Sequence, residues 1–224
     1  MYEHMFASRS ELPASTAALA MAIRPTSPAS SRLLPVAAPL SSLLPDGALR
    51  RGGTVVVTGS PGWGATSLGL ALLTAASTAG HWCAAVGLDD PGVVAMAELG
   101  VDLRRVVFVP RPRGAWAAAT AELFEGVDVV LARPPARVAH TAARRLLARA
   151  RDRAAVLVVL AEHRDDWPVP SELALEVTEA AWHANGRLVS RRAVVRAVGR
   201  GITGRPRYVS LWLPGAQGAV AVAC

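Results

Sequence analysis

Lysine is missing from this chain: all 24 of its Lys/Arg positions are arginine, so no lysine can act as the cation of a phosphate-binding loop. Cysteine is scarce. Cys83 and Cys224 lie far apart, which excludes a disulfide framework or a paired thiolate metal site and leaves a buried core thiol and a frayed tail as the expectation. The five histidines, His4, His81, His140, His163 and His183, show no ligand spacing, and no metal site is expected. No uncharged apolar run reaches the length of a membrane-spanning helix, and much of the 52% apolar content is alanine. The first residues, MYEHMFASRSELP, lack the basic and continuous apolar regions of a secretory signal. The expected location is therefore cytoplasmic, with no membrane contact.

Acidic residues are outnumbered, giving a net charge of +7, which suits nucleic acid or an acidic protein partner without choosing between them. The 224 residues are enough for one domain with a sizeable core. Residues 1–33 read as an N-terminal arm and linker. Within it, STAALAMAI at 15–23 is a short apolar helix capped by Ser15 or Thr16, and RPTSPASS at 24–31 is a Pro/Ser linker. Residues 34–224 form the domain.

The chain is organised around residues 55–67, VVVTGSPGWGATS. A β-branched run at 54–57 ends in a Gly/Pro turn that opens into an apolar helical pattern at 68–79, the layout of a P-loop. The pattern G-x-x-x-x-G-K-[ST] finds Gly59, Gly64 and Thr66, followed by Ser67, but Ala65 stands at the lysine position. Trp63 adds bulk and suggests a plugged or repurposed pocket. The alternative is a strand–turn–helix corner with no ligand.

Further strands are expected at 82–88, 106–109, 127–132 and 155–160, alternating with helices at 93–99, 115–124 and 138–153. Such alternation implies a parallel sheet covered on both faces. From 173 to 213 the pattern turns to short strands with a hairpin signal at Asn185-Gly186, an antiparallel extension of the same sheet. The expected class is α/β, a mostly parallel central sheet flanked by helices with antiparallel C-terminal strands.

This order resembles the RecA-like core. LPDGALRRGGTVVVTGSPGWGATS is similar to RecA's glycine turn, strand and Walker A segment. AELGVDL at 97–103 resembles the stretch after RecA's second strand, VDVV at 127–130 its Walker B strand, and residues 156–161 the strand carrying its sensor glutamine. The departures are systematic. Ala65 replaces the Walker lysine, Asp89 falls about where the catalytic glutamate belongs, and Arg133 lies where the magnesium-holding aspartate should be. Ala161-Glu162 occupy the sensor region. An arginine at the metal carboxylate is incompatible with ordinary Mg²⁺ binding. The resemblance thus implies a pseudo-ATPase with no cofactor, Gly59, Gly64, Thr66 and Ser67 being a P-loop remnant. Trimmed loops after the fourth and fifth strands argue against DNA binding by RecA's own route.

Among degenerate RecA relatives, a short, arginine-rich, lysine-free chain with an N-terminal arm resembles the ImuA-type accessory proteins of actinobacterial mutasomes. That resemblance implies a non-catalytic role in SOS-induced translesion DNA synthesis and mutagenesis. The implied partner is ImuB, an inactive Y-family polymerase relative that bridges to the sliding clamp and an error-prone C-family DNA polymerase. ImuB would dock through a segment resembling RecA's N-terminal protomer-contact motif. Rival readings are an atypical ATPase or recombinase paralogue and a SulA-like cell-division inhibitor.

For DNA or partner contact the sequence offers two arginine sets. One is Arg137, Arg144, Arg145, Arg149, Arg151 and Arg153 around the helix at 138–153, with a solvated helix face as the simpler reading. The other lies in the C-terminal strands and turns, Arg187, Arg191, Arg192, Arg196, Arg200, Arg205 and Arg207, with alternation expected to put several on one exposed sheet face and edge-strand charge against aggregation as the simpler reading. Trp167, between Asp165-Asp166 and Pro168, is the candidate aromatic anchor, with burial at the domain edge as its alternative. Asp89 and Asp90 read as residual acid/base groups or turn formers.

Overall fold

The computed structural model describes residues 32–135, 137–200, 202 and 205–223. The expected arm helix at 15–23, the linker at 24–31 and the Cys224 tail lie outside the described residues. Two short strands, β1 (Leu33–Leu34) and β2 (Leu49–Arg50), pair antiparallel around a four-residue helix, α1 (Ala38–Ser41). Leu34, Leu40, Leu43, Leu44 and Leu49 of this preface are all buried.

The main sheet alternates with helices up to its fifth parallel strand. It begins with β3 (Thr54–Gly59), α2 (Ala65–Ala71), α3 (Thr74–Thr78), β4 (Cys83–Val86) and α4 (Val93–Glu98). It continues with β5 (Val106–Val109), α5 (Trp116–Leu123), β6 (Val129–Ala132), α6 (His140–Asp152) and β7 (Val156–Leu160). Four strands complete it: β8 (Leu173–Ala184), β9 (Leu188–Gly199), β10 (Arg207–Trp212) and β11 (Ala221–Val222). The spatial order is β11-β10-β9-β8-β3-β7-β6-β4-β5. Strands β8 through β5 in that order run parallel, and β9, β10 and β11 add on antiparallel. The α/β class and its mixed sheet are as the alternation of patterns implied.

Strand periodicity sorts the core into two layers. Val55, Val57, Cys83, Ala85, Val129, Leu131, Val156 and Val158 face one way, against Leu68, Leu72 and Leu73 and the neighbouring Met96. Val56, Ala84, Val86, Val130, Leu157 and Val159 face the other, against Trp116, Leu146 and Ala150. Both faces are covered, as parallel strands require. The Cys83 thiol sits inside the first layer, and burial pushes it up to about 12. The expected antiparallel extension begins one strand later, since β8 still pairs parallel with β3, and here one face joins the core through Leu173, Leu175 and Val177 of β8 and Ala193, Val195 and Ala197 of β9.

Two local expectations are corrected. The helical pattern at 68–79 is two helices, because Leu73 N–H bonds back only three residues to Leu70 and the Thr74 hydroxyl donates to the Ala71 carbonyl. Trp82 does not open a buried strand: it is 42% exposed, precedes β4 and carries the Arg105 guanidinium 5.3 Å from its ring centroid. Among the described residues, no helix is long and apolar enough to cross a membrane.

Candidate functional site

The strand carrying the P-loop remnant is central, with parallel neighbours on both sides, so its C-terminal end opens at a point where the chain leaves in opposite directions. Ligand crevices of open α/β sheets lie at such points. The turn after Gly59 is closed by Trp63 N–H donating to Ser60 O at 3.0 Å. Gly64, at φ +105°, ends the turn where α2 starts. That left-handed backbone favours glycine, and a Cβ at this position would run into the guanidinium of Arg191.

Arg191 was expected on an exposed sheet face, and the structure corrects this. It is only 6% exposed and points inward, at the end of the apolar row Ala193, Val195 and Ala197. Its Nε donates to Leu213 O at 2.8 Å, one terminal nitrogen to Gly62 O at 3.1 Å and the other to Ser67 Oγ at 2.8 Å. The Trp182 ring lies 5.0 Å from its carbon centre. Burial pushes its pKa below the ordinary arginine value, and no carboxylate pairs with it among the described residues. Arginine thus braces the loop from the β9 side, at a position that counting lysines does not reveal.

A second arginine enters from the other side. Arg133, just past the end of β6, donates to Thr66 Oγ1 at 2.6 Å. In a working P-loop that hydroxyl is a Mg²⁺ ligand. Here it faces a guanidinium, a cation where the metal's charge would lie, so the residues present do not fit a magnesium nucleotide site. The surrounding cleft, about 530 Å³, is lined by the loop, by Arg133, Arg137 and Arg191, and by the carboxylates Glu162 and Asp166. Trp63 is absent from its walls and packs instead against the core, so it does not plug this space. Asp89 also lies outside the cleft lining, exposed and 3.5 Å from Arg111. Asp90 accepts from Gly92 N–H and forms the turn.

The other contact candidates are scattered rather than gathered. Arg192 is exposed beside Ser210, and Arg196 is held by Glu176 at 2.9 Å. Arg205 is exposed. Arg207 reaches inward to the carbonyls of Ser42 and Leu44. Trp167 is 4% exposed and packs in the same core layer as Trp116, which removes it as a surface anchor. Arg149 on α6 and Arg153 just past its end both grip Glu125, whereas Arg144, Arg145 and Arg151 have no carboxylate among the described residues.

The chain matches the MT3502 N-terminal domain family over residues 42–169 and belongs to that family. The match runs from the preface through β7 and stops before β8. The chain is also similar to an uncharacterized protein of Mycobacterium tuberculosis (strain ATCC 25618 / H37Rv), Rv3395c. The identity is 37% over 116 residues, which is 51% of this chain and 55% of that protein, so the chain spans about half the length of this relative.

Proposed function

We propose that this chain is a non-catalytic RecA-fold adaptor that binds ImuB and supports assembly of an error-prone translesion synthesis complex in SOS-induced mutagenesis. The observation that carries the non-catalytic half is the pairing of Arg133 with Thr66 Oγ1 at 2.6 Å, in a loop whose lysine position is Ala65. A phosphoryl-transfer site needs its metal bridging the phosphates and a cation on them. This loop instead directs two arginines at its own hydroxyls and carbonyl, so its chemistry is spent on holding the corner together. The mixed sheet with a central P-loop strand supports the RecA-like reading of the fold. The ImuB half rests on the sequence resemblance, with the error-prone C-family polymerase and the sliding clamp reached through ImuB, in the cytoplasm.

The test is co-purification of the full chain with the C-terminal part of ImuB. Retention of the pair through gel filtration is the expected result, and separation of two folded proteins overturns the reading. ATP turnover abolished by Thr66→Ala would replace it with an atypical ATPase. Arrest of cell division on overexpression without a change in mutagenesis would replace it with a SulA-like inhibitor.

A further inference from the structure

A second cleft, about 610 Å³, runs beside α6, away from the P-loop. One wall is α6 itself, where His140, Arg144 and Arg151 stand along a rise of about 16 Å. The other wall is the segment leading into β8, together with Arg200 at the end of β9, and Arg50 and Arg51 close the groove near the start of β3. Separate stretches of chain therefore deliver five arginines and a histidine to one groove whose lining holds a single carboxylate, Glu172.

The arginines divide sharply in how they are balanced. Arg51 is paired with Asp128 at 2.6 Å, and Arg50 with Asp46 at 2.9 Å and Glu172 at 3.6 Å. Arg144, Arg151 and Arg200 are exposed, and no carboxylate pairs with them among the described residues. Arg149 of the same helix and Arg153 just past its end share the Glu125 carboxylate. The groove thus holds two of the uncompensated arginines of α6, Arg144 and Arg151, while exposed Arg145 lies outside its lining.

We propose that this groove binds the sugar–phosphate backbone of nucleic acid. Guanidinium forks match phosphate oxygens, and positively charged, polar linings are the rule where proteins meet nucleic acid. An acidic protein segment fits less well, because among the described residues the lining offers no aromatic anchor: its apolar side chains are Leu147, Val169 and Pro170, of which Val169 is buried. The groove shares no lining residue with the cleft at the P-loop corner.

The test is fluorescence anisotropy of the full chain with labelled single- and double-stranded oligonucleotides, across about 50 to 200 mM salt. Replacing Arg144 and Arg200 together by alanine weakens binding roughly ten- to hundredfold at about 0.1 M salt and shallows the salt slope by about 1.4 to 1.8. The Arg144→Lys/Arg200→Lys pair keeps most of that slope, which separates lost charge from lost fold. Replacing Arg192 and Arg205 by alanine leaves it unchanged. No salt-dependent binding at about 50 mM, or equal losses in the Arg192/Arg205 control, overturns the proposal. So does binding of polyglutamate with no binding of either oligonucleotide, which would assign the groove to an acidic protein chain. A chain that loses nucleic acid but still retains ImuB leaves the adaptor reading standing.

Discussion

The P-loop corner and the groove along α6 are built with the same cation and use it in opposite ways. In the corner, buried Arg191 and exposed Arg133 both donate to the loop and the helix start behind it, to the Thr66 and Ser67 hydroxyls and the Gly62 carbonyl. In the groove, Arg144, Arg151 and Arg200 stay exposed, with no carboxylate paired to them among the described residues. The corner has turned charge into architecture, and the groove has kept charge available for something outside the chain. Net charge counts both alike, yet a buried arginine such as Arg191 cannot contribute counterion release on binding a polyanion, whereas the exposed groove arginines can.

The largest effect that could break this contrast is on stability. Arg191→Ala leaves Leu213 O, Gly62 O and Ser67 Oγ without their donor inside the fold. The expected loss is about 3 kcal/mol in urea unfolding. The Arg144→Ala/Arg200→Ala pair is expected to shift stability by less than about 0.5 kcal/mol per site, since both are exposed. If Arg191→Ala unfolds no more easily than the groove pair, the corner is not braced as described.

Arg51 lies between these extremes, lining the groove but tied to Asp128, which also accepts the Trp82 N–H and approaches His81. Arg51→Ala frees a partly buried carboxylate, and a loss of about 1 to 2 kcal/mol is expected by the same unfolding measurement. A smaller step concerns the nucleotide. With Ala65→Lys and Arg133→Asp combined, the cation and the metal carboxylate return together, and Mg·ATP affinity measured by calorimetry is expected to rise at least about tenfold, or about 1.4 kcal/mol. An unchanged affinity would mean that Arg191 alone closes the site.

How much of this was legible in the sequence follows from how local each signal is. The β-branched run before Gly59 and the glycines at 59 and 64 announced the strand, turn and helix, because each is fixed by near neighbours. Asn185-Gly186 announced the hairpin joining β8 to β9 for the same reason. Arg191 was misplaced because its side chain is fixed by distant partners, Gly62 and Ser67, across more than a hundred residues. A signal did exist: Arg191 continues the alternate row Ala193, Val195 and Ala197, so the period of two already put it on the buried side. Trp167 admits two readings from its neighbours, a surface anchor or burial at the domain edge, and the structure bears out the second: its ring packs in the layer of Val130 and Val159 from other strands. The groove was legible only in part: Arg144, Arg151 and Arg200 stand among the arginines offered for nucleic-acid contact, but they meet Arg50 and Arg51 only once the sheet order is known.

The smallest expected effect is the sharpest test of geometry against bulk charge. Glu125→Gln releases Arg149 and Arg153 and raises the net charge by one, much as a random loss of an acidic residue would. Glu125 is an exposed ion-pair partner, so stability should move by less than about 1 kcal/mol. Arg149 and Arg153 do not line the groove. If affinity for oligonucleotides followed total charge, the salt slope would steepen by about 0.9 for each arginine that gained a phosphate. Because those arginines lie outside the groove, the expected slope is that of the unaltered chain. A steeper slope would move the binding surface around α6 toward α5 and erase the distinction between the two arginine sets of that helix.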